Sequence, residues 1–141
     1  MKLRWLSATL IMAACTEEPT GPRPGSISVE VAEVGRIEPE VELSLKVTNT
    51  GSVPAYFEGC PNVPSVQVET LTDAGWQEAG SVNLYCIAVL SPRREMLRPG
   101  ASVQVRLGVL ARGLLRMHVL YGVTPSNPYE KAGVSRAIQI D

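Results

Sequence analysis

The residues of this chain that could carry chemistry are few: one histidine, three cysteines and a scattering of carboxylates in 141 residues. His118 could serve as a general base. Acid–base catalysis needs a second oriented group, however, and the neighbours of His118 on its own strand face are Arg116 and Leu120. No GxSxG, HExxH or other nucleophile pattern accompanies it. His118 therefore reads as a solvated strand histidine, and no catalytic residue is assigned. Glu38 and Glu40, two apart on a loop or strand start, read as solvated charge. Calcium would need a dense run of oxygen ligands of the DxDxD kind, which the chain lacks. Cys60 and Cys86 have neither a CxxC spacing nor a nearby histidine, which argues against a metal or redox pair. No metal and no cofactor is expected, and no Asn-x-Ser/Thr acceptor occurs.

Cys15 stands apart because of what precedes it. MKLR is a short basic head, and WLSATLIMAA is an apolar run well short of the about 20 residues that a membrane-spanning helix needs. The pair reads as a secretory signal. Met12-Ala13-Ala14 before Cys15 resembles the lipobox of bacterial lipoproteins, with small side chains at Ala13 and Ala14 and Met12 where that family most often has leucine. The resemblance implies that residues 1–14 are a signal peptide. Cys15 would be diacylated on sulfur, become the new N-terminus and be open to acylation on nitrogen. Two or three acyl chains, at about 0.8 kcal/mol per buried methylene, hold far more firmly than one, so the mature protein would stay on the membrane. Thr16 is not the aspartate that favours inner-membrane retention in enterobacterial lipoproteins. The outer membrane is thus the expected address where two membranes are present.

Export also decides the reading of the other two cysteines. With Cys15 spent on lipid, Cys60 and Cys86 are an even pair in an exported domain and are expected to form a disulfide. Closing that loop contributes about 3.5 kcal/mol in the chain-entropy picture. Residues 15–26, with TEEPTGPRPGS after the cysteine, hold three prolines and two glycines without a periodic apolar residue. They read as a tether between the lipid and a single domain at 27–141.

Composition limits what that domain can be. Hydrophobic residues make up 45% and charged residues 19%, so a packed core is expected. The formal charge is −1, and loss of Lys2 and Arg4 with the leader leaves eleven basic against fourteen acidic residues. The basic residues are scattered and aromatics are 5%, which excludes a nucleic-acid partner.

The elements that must position any site are strands. VELSLKVTN, 41–49, alternates Val41, Leu43, Leu45 and Val47 with polar residues and closes on Thr50-Gly51-Ser52, the pattern of a half-buried central strand ending in a turn. Further strands are read at 27–34, turning at Gly35 and Pro39, at 54–57 with Phe57 buried, and at 66–71 with a hairpin signal at Asp73-Ala74-Gly75 leading to Trp76. Trp76 is expected to pack across strands at the sheet surface. Arg93-Arg94-Glu95 reads as exposed chain. Strand 102–110 turns at Ala111-Arg112-Gly113 into LLRMHVLYG, whose Leu115, Met117, Val119 and Tyr121 share one face, and a last strand covers 135–140.

Seven to nine short strands without a helix predict an immunoglobulin/fibronectin-like antiparallel β-sandwich, with an up-and-down barrel as the alternative. The Val-Thr-Asn-Thr-Gly turn, the Pro-Gly turn before the second long strand and the closing Leu-Arg-Met strand resemble immunoglobulin-like domains of the bacterial intracellular-proteinase-inhibitor type. Ala111-Arg112-Gly113 departs from the Pro-Gly such domains often carry. Two functions are compatible with these features. One is a non-catalytic envelope lipoprotein that binds or spaces another envelope component through loops or an edge strand. The other is a protease inhibitor that presents the Pro61 to Pro64 loop beside Cys60.

Overall fold

The computed structural model describes residues 25–37, 39–61, 63–83 and 93–141. Among them the chain forms β1 (Ile27–Ile37), β2 (Glu40–Asn49), β3 (Ala55–Cys60), β4 (Val63–Pro64), β5 (Val66–Thr72), β6 (Gly75–Ala79), β7 (Ser81–Asn83), β8 (Arg93–Leu97), β9 (Ser102–Val109), β10 (Gly113–Tyr121), β11 (Lys131–Val134) and β12 (Ile138–Ile140), and no helix. The architecture is an antiparallel immunoglobulin/fibronectin-like β-sandwich. A four-stranded sheet, β1-β2-β9-β7, packs on a five-stranded sheet, β11-β10-β5-β6 with β12 also on β10. These two sheets hold most of the strands that the sequence predicts. A third, three-stranded sheet, β4-β3-β8, contains the strand expected at 54–57 as β3 and adds β4 and β8, which the sequence does not announce. It continues from the end of β10 through the reciprocal backbone bonds of Tyr56 and Gly122, at 2.9 and 2.8 Å.

The core follows from strand parity. Val41, Leu43, Leu45 and Val47 of β2 lie in register with Val109, Leu107, Val105 and Val103 of β9, and all but the partly buried Val103 are buried. From the opposite sheet, Val68, Leu115, Met117, Val119 and Tyr121 join the same cluster, with Phe57 buried beside them. Removing this apolar surface from water at about 25 cal/mol per Å² is the main term holding the sheets together.

The polar end of β2 fixes the turns. Asn49 is fully buried, yet every polar group of its side chain is used. Its Nδ2 donates to the carbonyls of Val53 and Leu97, both at 2.9 Å, and its Oδ1 accepts from the Gly51 N–H at 2.9 Å. The Asn49 backbone also bonds Gly100 and Ala101, at 2.8 and 3.0 Å. One residue thereby locks the turn after β2 to the Pro99-Gly100 turn before β9, where Gly100 takes a φ of 75° that only glycine adopts readily.

Several boundaries differ from the sequence expectation. Gly35 does not turn the chain; it lies extended inside β1, paired with Glu42, and the reversal comes at Pro39. Residues 93–95 belong to β8. β9 and β10 are not hairpin partners, since Ala111 and Arg112 carry the chain from one sheet to the other. The last strand, expected at 135–140, begins only at 138 as β12; residues 135–137 break the edge between it and β11, a strand the sequence does not announce. Here the Ser135 Oγ accepts the Met117 N–H at 3.0 Å in place of a ladder carbonyl. Glu38 lies outside the described residues. Gly25 and Ser26, polar enough to read as tether, are tied in: Tyr121 donates its hydroxyl to the Gly25 carbonyl at 2.7 Å, and Thr50 bonds the Ser26 carbonyl at 2.9 Å. Burial raises the pKa of Tyr121.

Candidate functional site

The outward positions of the five-stranded sheet form a grid that register defines. Trp76 stands opposite Leu71, and Leu114 of β10 stands opposite Gln139. The next row is Glu78, Glu69 and Arg116. Gln67, His118 and Val134 follow, then Leu120 and Ala132. A charged centre is therefore bracketed by apolar rows. Leu71 and Val134 are each 45% exposed, a large fraction for aliphatic side chains on a sheet face.

At the centre, Arg116 reaches across β5. Its Nε donates to Glu69 Oε2 at 2.6 Å, and its guanidinium carbon lies 4.3 Å from the centroid of the Trp76 ring. An arginine held by a carboxylate and an aromatic face is well ordered, and the cation–π contact contributes about 0.5–1 kcal/mol at such a site. The hydrogen bond from Arg116 holds the Glu69 carboxyl below its ordinary pKa of 4.5; desolvation opposes this, and the charges of His118 and Arg116 reinforce it.

His118 points outward as its parity requires, but it does have a carboxylate neighbour. Its Nε2 lies 2.9 Å from Glu69 Oε2, although the buried nitrogen makes no hydrogen bond of acceptable direction. The contact is electrostatic proximity and not an aligned hydrogen bond, on an oxygen that also accepts from Arg116. The expectation of a solvated strand histidine is corrected here: the His118 side chain is 18% exposed with a buried Nε2, and the carboxylate beside it, Glu69, comes from β5, 47 residues before Arg116. No sequence-local pattern announces it, since only the register of β5 against β10 brings them together. Two grooves, of about 770 and 570 Å³, lie elsewhere on the molecule, and neither is lined by His118 or Glu69. The Glu69–Arg116–His118 arrangement thus presents an ordered polar centre on the sheet surface, away from both grooves.

Of the residues singled out from sequence, Cys60 is 3% exposed and disulfide-bonded. Cys86 and Cys15 lie outside the described residues. Pro61 is exposed, but Val63 and Pro64 form β4 against β3 and Pro64 is buried, so the 61–64 segment folds back as a tight hairpin. Among the described residues, no three histidine, cysteine or acidic side chains are placed to share a metal ion.

No family model matches the chain, and no curated protein does. Among solved structures, the chain is similar to a β-glucosidase from Kluyveromyces marxianus in complex with glucose, with a TM-score of 0.37 and 11% identity over 83% of this chain and 14% of that one. The selenomethionine-labelled form of the same enzyme gives 0.36 at the same identity and coverage. The chain spans about one seventh of that enzyme's length, and at this similarity the likeness carries no argument about activity.

Proposed function

We propose that this protein is a non-catalytic, membrane-anchored lipoprotein whose β-sandwich docks another protein of the cell envelope through the outer face of the five-stranded sheet. The observation that carries the reading is the composition of that face. Trp76, Leu71, Leu114, Leu120 and Val134 surround an arginine ordered by Glu69, and tryptophan and arginine are the side chains most enriched where interfaces hold their energy. Apolar rows favour a protein partner over a sugar or a nucleic acid. The lipobox-like segment at Cys15 and the proline-rich tether support a domain held near a membrane, the outer one where there are two. A Cys60–Cys86 disulfide would brace the end of β3. The 61–64 hairpin offers too short an exposed stretch to favour the inhibitor reading.

Four strand positions at about 4.8 Å and nine residues of β10 at about 3.3 Å give a face of roughly 570 Å². That is below the roughly 800 Å² per partner of a standard interface, so a weak complex is expected. The test is a photo-reactive residue placed at Leu71 or, on the opposite sheet, at Lys46, in cells expressing the full chain. A discrete protein adduct from Leu71, absent from Lys46 and lost with Trp76→Ala, is the expected result. Equal adducts from both positions, or none from Leu71, would overturn the reading.

A further inference from the structure

A second surface lies where the two main sheets meet at their open edges. Among the described residues β1 pairs only with β2, and the other edge is formed by β11 and β12 on β10. At one end the edges touch, because a Cβ added to Gly133 would sit 2.8 Å from the Ile27 carbonyl. Further along they part, and both are irregular at that level. β1 shifts register between Val31 and Glu33, and the opposite edge leaves its ladder at 135–137. Bulges at sheet edges re-aim side chains and often border binding sites. The result is a groove of about 770 Å³, whose walls include Val29, Val31, Ala137 and Ile138, with Glu30 on one side and Arg136 on the other. Among the described residues neither Glu30 nor Arg136 has an ion-pair partner.

We propose that this seam binds an extended segment of a partner protein, added as a strand along Ser28–Val31 and carrying one basic and one acidic residue side by side. Every second residue of an edge strand turns its N–H and C=O away from its one neighbour, so β1 offers unpaired main-chain groups along the groove. The Ser28–Val31 stretch spans about 13 Å at 3.3 Å per residue, and the groove volume suits a bound segment of four or five residues. Adjacent side chains of an extended segment point opposite ways, which sends one charge toward Glu30 and the next toward Arg136. The sequence of the chain's own 15–24 segment is a poor match for this occupant, since its prolines cannot donate to a ladder and it lacks alternating apolar residues.

The probe is the hexapeptide acetyl-Thr-Val-Lys-Glu-Val-Thr-amide added to the full chain, followed by amide hydrogen exchange. Slowed exchange at 28–31 is expected, with affinity falling roughly tenfold in Glu30→Lys and in Arg136→Glu and for a peptide with glutamine in place of both charges. Both substitutions are at the surface, and unchanged melting temperatures show that the fold is kept. No protection of 28–31 at about 1 mM peptide, or an affinity in both variants unchanged from that of the parent, would overturn the proposal. Protection of 67–71 instead would move the peptide to the outer face of the five-stranded sheet, overturning this inference and leaving the proposed function standing. Protection of 28–31 that grows with protein concentration alone would assign the seam to a second copy and equally overturn it.

Discussion

The two outer faces of the sandwich are built on the same pleat and carry different chemistry. On the four-stranded sheet the outward positions of β2 and β9 are Glu42, Ser44, Lys46 and Thr48 against Gly108, Arg106, Gln104 and Ser102, joined by a Thr48–Ser102 hydrogen bond of 2.8 Å and a Glu42–Arg106 pair at 3.4 Å. Exposed pairs of this kind contribute at most about 1 kcal/mol, and the face is what solvent alone would select. On the five-stranded sheet the equivalent positions hold Trp76, Leu71, Leu114 and Leu120 around Arg116. The fold requires only the inward residues, so nothing in the packing of the core demands apolar residues on the second face. That difference is what the proposed docking role of the second face rests on.

The largest effect breaks the comparison by removing the platform both faces share. Asn49→Ala deletes three side-chain hydrogen bonds and takes the buried amide donor away from the Val53 and Leu97 carbonyls, while the Gly51 N–H keeps only its longer bond to the Ser26 carbonyl at 3.2 Å. We expect a loss of about 3–5 kcal/mol, read as a shift in the urea midpoint, with both faces impaired alike. A shift corresponding to less than about 1 kcal/mol would show that water or rearrangement replaces those bonds.

Next comes the contrast itself. Trp76→Ala is expected to weaken the envelope complex at least tenfold, about 1.4 kcal/mol or more, while Lys46→Ala leaves it unchanged. Yields of the Leu71 photo-adduct against partner concentration measure both. Equal losses would mean that the two faces are not functionally distinct.

How much of this could be read from the chain depends on the range of the interaction. β2 and the inward residues of β10 are plain in the alternation of VELSLKVTN and LLRMHVLY, because a period of two needs no knowledge of the partner strand. The hairpin at 72–75 is equally local, its turn at Asp73-Ala74-Gly75 closed by Thr72 accepting the Ala74 N–H at 3.2 Å. The site is not local. Glu69 meets Arg116 and His118 only through the β5–β10 register, and a slip of one residue would have turned Glu69 inward. Gly35 misleads for another reason: an extended glycine on an edge strand is tolerated where a turn would seem its natural use. The break in the edge at 135–137 is hidden because the hydroxyl of Ser135 stands in for a backbone carbonyl, which composition does not announce.

A subtler probe of the charged centre is pH. The Glu69 pKa is lowered in the folded protein, so its ionised form stabilises the fold. That contribution is complete above the ordinary carboxylate value of 4.5 and is lost as pH falls through the lowered value. The urea midpoints of the parent and of Glu69→Gln should therefore differ most near neutrality and converge in acid. Midpoints that stay parallel down to about pH 3 would show that Arg116 gives Glu69 no preferential hold in the folded state.

The smallest effect is expected at the residue whose type is most suggestive of chemistry. His118 has a side chain 18% exposed and lies 2.9 Å from Glu69 Oε2, yet Arg116 already bonds that oxygen at 2.6 Å. Replacing the imidazole leaves the Glu69–Arg116 bond and the Trp76 contact in place, and removes an unaligned neighbour whose Nε2 makes no directed hydrogen bond. His118→Gln should then change stability by less than about 1 kcal/mol and the Leu71 photo-adduct by less than about twofold. The same variant tests the non-catalytic reading, since any turnover found by broad substrate profiling of the full chain and removed by His118→Gln would make the imidazole a working base. With its Nε2 buried beside a carboxylate that Arg116 also holds, and neither of the two grooves opening onto it, the ring lies between Gln67 and Val134 in the outer row of the five-stranded sheet.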